Sequence, residues 1–266
     1  MQKTVISHFY NEEYLLPWWL NHHKAIFDHG IMIDYASTDR SINIIRELCP
    51  SWQIVPSRNA EFDAYECDKE VSDYEGIIKG WRMALNVTEF LYGNYNHLND
   101  SNEDQQIIVG NFVFTDMEDD KLGPVDLDHN VPLHQQRYWG YHHLEDAGGN
   151  RSGRSVRRQN RSLQNYPMDY MLHPGRHFGH VAATVDDLVI FYYGWAFANE
   201  QGLARKTQIQ NRMSKFDIDR NSGGHVATKN DFFNRIRVDH QPKSRDLRQE
   251  IDKILKFNKD LTGQEF

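Results

Sequence analysis

Three short apolar runs, separated by two helix-period segments, fill the first 55 residues, and this alternation constrains the fold more than any other feature of the chain. Thr4 to Phe9 carries the β-branched pair Val5-Ile6 and reads as a strand ending in the polar turn Tyr10-Asn11-Glu12-Glu13. From about Tyr14 to Phe27 the apolar positions Leu15, Trp18, Trp19, Ala25 and Ile26 recur at helical spacing, with Pro17 tolerable only near the first turn. Ile31-Met32-Ile33 is a second strand that stops at Asp34. Ser37-Thr38-Asp39 supplies N-cap chemistry for a helix carrying Ile42, Ile45 and Leu48; Pro50 ends it, and Trp52 to Val55 reads as a third strand. Such alternation calls for βαβ units and a parallel sheet, whose right-handed crossovers bring the strand C-termini to one rim. Ligands of open α/β sheets bind at that rim, where Tyr10, Asn11 and Asp34 fall.

The rest of the chain is less regular. A helix is expected from about Val71 to Leu85, and strands at Ile107-Ile108-Val109, Phe112-Val113-Phe114 and Leu188 to Tyr193. Gly148 to Asn165, rich in Gly, Ser, Asn and Arg, lacks apolar periodicity and reads as a mobile loop. Glu200 to Met213 is helical in pattern, and a closing helix from about Asp246 to Phe257 sets Leu247, Ile251, Ile254 and Leu255 on one face. The 266 residues suit a single domain with three parts: 1–95, the βαβ part; 96–245, with its loop at about 148–165; and 246–266, a C-terminal helix and tail.

Charge and composition exclude several functions. The net charge of -8 does not suit nucleic-acid binding, which needs a basic face. Cys49 and Cys67 form neither a ligand pair nor a disulfide framework. No run approaches the roughly 20 apolar residues of a membrane span. The first eight residues lack the apolar core of a secretory signal, so a cytoplasmic protein is expected.

Two segments together resemble a known family. His8-Phe9-Tyr10-Asn11-Glu12-Glu13, followed by Ile33-Asp34-Tyr35-Ala36-Ser37-Thr38-Asp39, is similar to the opening of family 2-like glycosyltransferases, where one strand ends in a Tyr/Asn-Glu turn and the next in Asp-x-x-Ser-Thr-Asp. The resemblance covers about the first 95 residues well and the remainder in scattered pieces. Its nearest subgroup ends the sugar-nucleotide region in a Glu-Phe-Leu strand, here Glu89-Phe90-Leu91. It implies the GT-A (nucleotide-diphospho-sugar transferase) type of α/β fold, with a mainly parallel central sheet and flanking helices. It also implies a nucleoside-diphosphate sugar as donor and a glycan, lipid or protein acceptor, as in glycan biosynthesis. Tyr10, Asn11, Glu12, Asp34, Ser37, Asp39 and Asp63 would then meet the nucleoside. Helix capping is the alternative for Ser37 and Asp39, and a solvated acidic loop for Asp63.

The departure from the family lies at Asn86-Val87-Thr88-Glu89. Relatives carry Asp-x-Asp here to hold Mn²⁺ or Mg²⁺ against the diphosphate; Asn86 and Thr88 replace both Asp residues, and only Glu89 keeps a charge. Three outcomes stay open: Glu89 with another carboxylate still binds metal, cations replace the metal, or the chain is a catalytically silent module that binds a nucleotide sugar or glycan. Candidate phosphate-binding cations are Arg205, Lys206 and Arg212, with Arg205, Ile209 and Arg212 sharing one helical face, and the glycine-flanked Arg176, His177 and His225. The Arg-rich loop from Arg151 to Arg161 offers an anion-closing lid or a solvated loop. Direct displacement needs a base; Asp116 is first choice among Asp116, Glu118, Asp119 and Asp120.

Overall fold

The computed structural model describes residues 1–99, 106–117, 126–143, 161–164, 183–220 and 228–262. The chain is a mixed α/β protein built on a four-stranded parallel sheet flanked by helices. Strands β1 (Lys3–Phe9), β2 (His29–Asp34), β3 (Gln53–Pro56) and β4 (Trp81–Ala84) lie in the order β4-β1-β2-β3. Helices α1 (Leu16–His23), α2 (Ser41–Leu48) and α3 (Ala64–Ile77) make the crossovers. The register runs Phe9↔Asp34 and Asp34↔Pro56, so three strands end side by side, as the first 55 residues predict.

The second half continues the sheet with alternating directions. β5 (Glu89–Gly93) pairs antiparallel with β9 (Ala183–Trp195), and β6 (Gln106–Thr115) pairs parallel with β9. β8 (Arg161–Gln164) is antiparallel to both β4 and β6, so β6 and β9 run the same way as β1. The ends of β6 and β9 and the start of β5 therefore reach the same rim as Phe9 and Asp34. β7 (Trp139–His142) and the two-residue β10 (Arg245–Asp246) complete the edge, preceded by the short α4 (Leu133–Gln136). Helices α5 (Glu200–Thr207), α6 (Lys215–Asp219), α7 (Lys229–Arg235) and α8 (Arg248–Thr262) follow.

Packing fixes the first crossover against the sheet. The fully buried Trp19 of α1 donates its indole N–H to the carbonyls of Asn86 (3.1 Å) and Glu89 (2.9 Å), tying the helix to the β4–β5 turn. Its ring meets Trp52 edge-on, 6.1 Å between centroids. Trp52 in turn lies flat against Gly30: a Cβ there would meet the indole at 2.1 Å, so β2 needs glycine at this point.

Several boundaries differ from those read in the sequence. The helix expected over Val71–Leu85 starts earlier, at the Asp63 cap, and ends at Ile77. Gly80, at φ +90°, turns the chain, and Trp81 to Ala84 become a strand that buries Trp81 and Met83 beside β1. The strands expected at Ile107 and Phe112 are one, β6, interrupted by a register shift at Val109/Gly110. The helix expected over Glu200–Met213 stops at Thr207, and a separate 3₁₀ turn holds Gln210–Arg212. Helix α1 stops at His23, before Ala25 and Ile26. Of the loop expected at 148–165, residues 161–164 form β8, and the rest lies outside the described residues. Among the described residues no helix is long and apolar enough to cross a membrane.

A histidine–aromatic cluster fills the space between α1 and β5. His23 donates from Nδ1 to the Trp19 carbonyl (2.9 Å) and accepts the Leu91 N–H at Nε2 (3.3 Å), so its neutral tautomer satisfies both nitrogens. His22 donates to the Leu91 carbonyl (2.6 Å), and His134 pairs with the Tyr92 hydroxyl (3.0 Å). Burial pushes His22 and His134 down to about 4, and His23 well below its usual value. The fold keeps them neutral while the unfolded chain protonates near 6.5, so their stabilisation is full above that pH and is lost as pH falls toward 4. A drop from 6.5 to about 4 corresponds to about 3 kcal/mol per histidine. Thermal melts should show Tm falling progressively once pH drops below 6.5; a Tm constant between pH 6.5 and 4.5 would contradict the neutral cluster.

Candidate functional site at the carboxyl rim of the sheet

The loops that leave β1 and β2 are laced together. Asn11 and Ala36 both adopt left-handed backbone, at φ 49° and 59°. That turns the two loops toward each other, and asparagine tolerates such a conformation better than most residues. Asn11 Oδ1 accepts the N–H groups of Thr38 (2.7 Å) and Asp39 (3.3 Å), and the Asn11 N–H goes to Ser37 Oγ (3.0 Å). Asp39 accepts from Glu13 N–H (3.0 Å) and Ser41 N–H (2.9 Å), while Ser41 Oγ accepts from Glu12 N–H (2.8 Å). Asp34 Oδ1 holds the Ser37 N–H (2.9 Å). The structure thus gathers Tyr10, Asn11, Glu12, Asp34, Ser37 and Asp39 at the rim, where Asn11, Ser37 and Asp39 satisfy loop amides.

A cationic strip crosses this lacing. Asn199, shortly after β9, caps α5 by accepting the Gly202 N–H (2.9 Å), and Arg205 and Gln208 tie the helix and its end to Glu12 and Tyr10 beyond β1. Arg205 donates from Nε to Glu12 (2.6 Å), a pair in which both side chains are largely buried. Burial raises the Glu12 carboxyl, with Arg205 pulling the other way. Lys206 lies with its ammonium 4.1 Å from the centre of the Trp195 ring and 3.4 Å from the Tyr192 hydroxyl. Burial, reinforced by Arg205, lowers its pKa to about 7, and among the described residues no salt bridge joins it to a carboxylate. Trp195 also stacks on His240, 4.6 Å between centroids. Trp195, Tyr192 and His240 were not foreseen; the strand expected over Leu188 to Tyr193 runs on to Trp195.

Asp116 sits at the end of β6, 5% exposed. Its Oδ1 lies 2.9 Å from Arg137 Nε, which is not aligned for a straight hydrogen bond, and Oδ2 accepts the Ala198 N–H (2.8 Å). Burial raises its pKa to about 6, with Arg137 opposing. Arg137, just before β7, also escaped the sequence analysis.

Other expectations need correction. Glu89 is 6% exposed and accepts the Asn86 N–H (2.7 Å), closing its own turn. Among the described residues no group of three or more His, Cys, Asp or Glu is placed to hold a metal. Asp63 caps α3 through the N–H groups of Tyr65 and Glu66, and its second oxygen takes the Ser214 hydroxyl (2.8 Å). Arg212 does not join Arg205 on one face. Its guanidinium carbon lies over the Tyr10 ring, 4.5 Å from the centre, and the group donates to the carbonyls of Tyr35 and Ala60. Glu118, Asp119, Asp120, Arg176, His177 and His225, and the side chains of Arg151 to Arg161, lie outside the described residues. A cavity of about 340 Å³, lined by Lys3, Lys24, Cys49 and Trp52 among others, opens at the opposite, N-terminal edge of the sheet, away from these groups.

No protein-family model matches the sequence, and no curated protein matches it. Among solved structures the chain is similar to S. aureus TarS residues 1–349, including a complex with UDP, at TM-score 0.32 and 14% identity over 47% of this chain and 38% of that one. It is also similar to M. tuberculosis glucosyl-3-phosphoglycerate synthase in complex with Mn²⁺, UDP and glucosyl-3-phosphoglycerate, at TM-score 0.31 and 12% identity over 42% and 44%. HddC from Yersinia pseudotuberculosis aligns at TM-score 0.36 and 12% identity over 72% and 93%. The chain spans less than half the length of the first two.

If the lacing holds the rim, Asn11→Ala should destabilise the protein by about 2–3 kcal/mol, from unsatisfied loop amides and alanine in a left-handed conformation. Asn11→Asp keeps the acceptor and should cost under about 1 kcal/mol. Urea unfolding measures both; an unchanged midpoint for Asn11→Ala would contradict the lacing.

Proposed function

We propose that the rim binds a nucleoside-diphosphate sugar and that the chain is a glycosyltransferase passing the sugar to the hydroxyl of a glycan, lipid or protein acceptor. One observation carries this: Lys206, beside the Glu12–Arg205 pair, presents an ammonium on the Trp195 face with no salt-bridged carboxylate among the described residues. A cation held this way favours an incoming anion, since phosphate oxygens would supply the charge partner that the fold withholds. Its position fits a diphosphate, because α5 brings it over the end of β1, where open α/β sheets bind their ligands.

Each group then has a task. Tyr10 and the second oxygen of Asp34 face the nucleoside. Lys206 and Arg205 stabilise the charge that builds on the departing diphosphate, the work that Asp-x-Asp and its metal do in the family resembled. Glu12 orients Arg205. Asp116 takes the proton of the acceptor hydroxyl as that oxygen attacks the anomeric carbon, while Arg137 and the Ala198 N–H keep the carboxylate in place. A silent nucleotide-sugar or glycan binding module is the second reading, favoured by the ion pair that occupies Asp116 and by the neutral Asn86 and Thr88.

Titration calorimetry with UDP, GDP and dTDP, with and without Mn²⁺, tests the proposal. Binding should be independent of Mn²⁺, and Lys206→Met should weaken it at least about tenfold, the value of one charge-assisted contact. Absence of binding under every condition would discredit both readings, and binding without turnover across a donor and acceptor panel would favour the silent module.

The pH profile gives a separate check. Asp116 must be ionised, which holds above about 6, and Lys206 must be protonated, which holds below about 7. kcat/KM should therefore form a narrow bell between these limits. A bound diphosphate raises the Lys206 pKa, so the falling limb of kcat should move to higher pH. Identical falling limbs in kcat and kcat/KM would argue against Lys206 as the phosphate partner.

A further inference from the structure

Residues 208–217 form a strap across the rim. Gln208 donates its side-chain amide to the carbonyls of Tyr10 (2.9 Å) and Asn11 (3.2 Å). Further along, the Phe62 N–H bonds the Arg212 carbonyl (2.6 Å) and the Ser214 N–H bonds the Phe62 carbonyl (2.7 Å). Ser214 Oγ donates to Asp63 (2.8 Å), and Asp217 accepts the Ala64 N–H (2.8 Å). Between these clips Arg212 holds its guanidinium carbon over the Tyr10 ring, 4.5 Å from its centre, with Tyr35 at 5.9 Å, and sends one N–H from each terminal nitrogen to the carbonyls of Tyr35 and Ala60.

A planar group stacked on an aromatic ring, with N–H donors aimed at backbone carbonyls, is how proteins hold a nucleobase. The guanidinium carries two N–H donors on nitrogens that share one carbon. Guanine is the base that repeats this arrangement, with N1–H and the 2-amino group on one carbon. Uracil offers a single N–H between two carbonyl oxygens, which would face the Tyr35 and Ala60 carbonyls with like partial charge. Adenine and cytosine place their amino group beside an unprotonated ring nitrogen.

We propose that Arg212 holds the place of the donor's base, that the base is guanine, and that the strap must release Arg212 before a guanosine diphosphate sugar can seat. This rests on the nucleotide-sugar reading of the rim and narrows it to one base. The Tyr10 face and the two carbonyls form one specificity site, filled by the chain itself when the ligand is away.

Calorimetry with GDP, UDP, ADP, CDP and inorganic pyrophosphate, on the parent chain and on Arg212→Ala and Ser214→Ala, tests it. The parent should bind GDP at least about 30-fold more tightly than UDP, the cost of one mispaired buried polar group. Arg212→Ala should tighten GDP about tenfold by removing the competitor, and Ser214→Ala should tighten it by about threefold through a looser strap with Arg212 intact. Circular dichroism confirms that each variant is folded; if Arg212→Ala does not fold, Ser214→Ala decides. Weaker or unchanged GDP binding in the folded variants would overturn the stand-in role. Tighter binding of UDP than GDP would overturn the guanine assignment and leave the nucleotide reading standing. Pyrophosphate binding without any gain from a nucleoside would remove the base site but keep the phosphate site. Failure of every probe would remove both.

Discussion

The rim depends on how two strand-end loops satisfy each other's backbone. After β1 and β2 the chain must turn away from the sheet, leaving amides that neither strand nor helix can pair. Asn11 meets two of them with one side-chain oxygen, and Ser37, Asp39 and Ser41 answer the amides of Asn11, Glu13 and Glu12. Because Phe9 and Asp34 are register partners, the loops start at the same level and the lacing closes without a gap. Glu12 is thereby fixed, and with it Arg205, the neighbouring Lys206 and the path of α5 across the rim. A polar motif that looks like a ligand clamp is therefore first a frame.

Charge on that frame is arranged sparingly. Two cations and one carboxylate meet at Glu12, Arg205 and Lys206, leaving an excess of positive charge once Lys206 is protonated. Asp116 and Arg137 balance each other nearby in a buried pair. Relatives in the family resembled bring a hard cation to two aspartates; here Asn86 and Thr88 are neutral and Glu89 closes its own turn. Fixed cations from α5 lie at the same rim.

The alternating pattern of the first 55 residues made the parallel sheet and its rim legible, since strand ends and helix starts follow from local hydrophobic period and cap chemistry. The segment after α3 was read as helix, although Trp81, Met83 and Leu85 alternate at strand spacing; Gly80 in a left-handed turn separates helix from strand. Gly110-Asn111 looked like a break, yet the paired strand β9 absorbs it as a register shift. Asp63 read in sequence as a nucleoside contact or a solvated acidic loop; it caps α3 locally, and its bond to Ser214, over 150 positions away, leaves no sequence signal. Arg212 was visible as a cation, but its partners are backbone carbonyls, which leave no trace in a sequence.

A crystal structure of the chain with a bound nucleoside diphosphate would test the central claim most directly. The diphosphate should lie at the carboxyl rim with an oxygen about 3 Å from Lys206 Nζ and no metal between them. A nucleotide seated away from Lys206, whether in the Lys3–Lys24 cavity at the opposite edge or on another face, would contradict it.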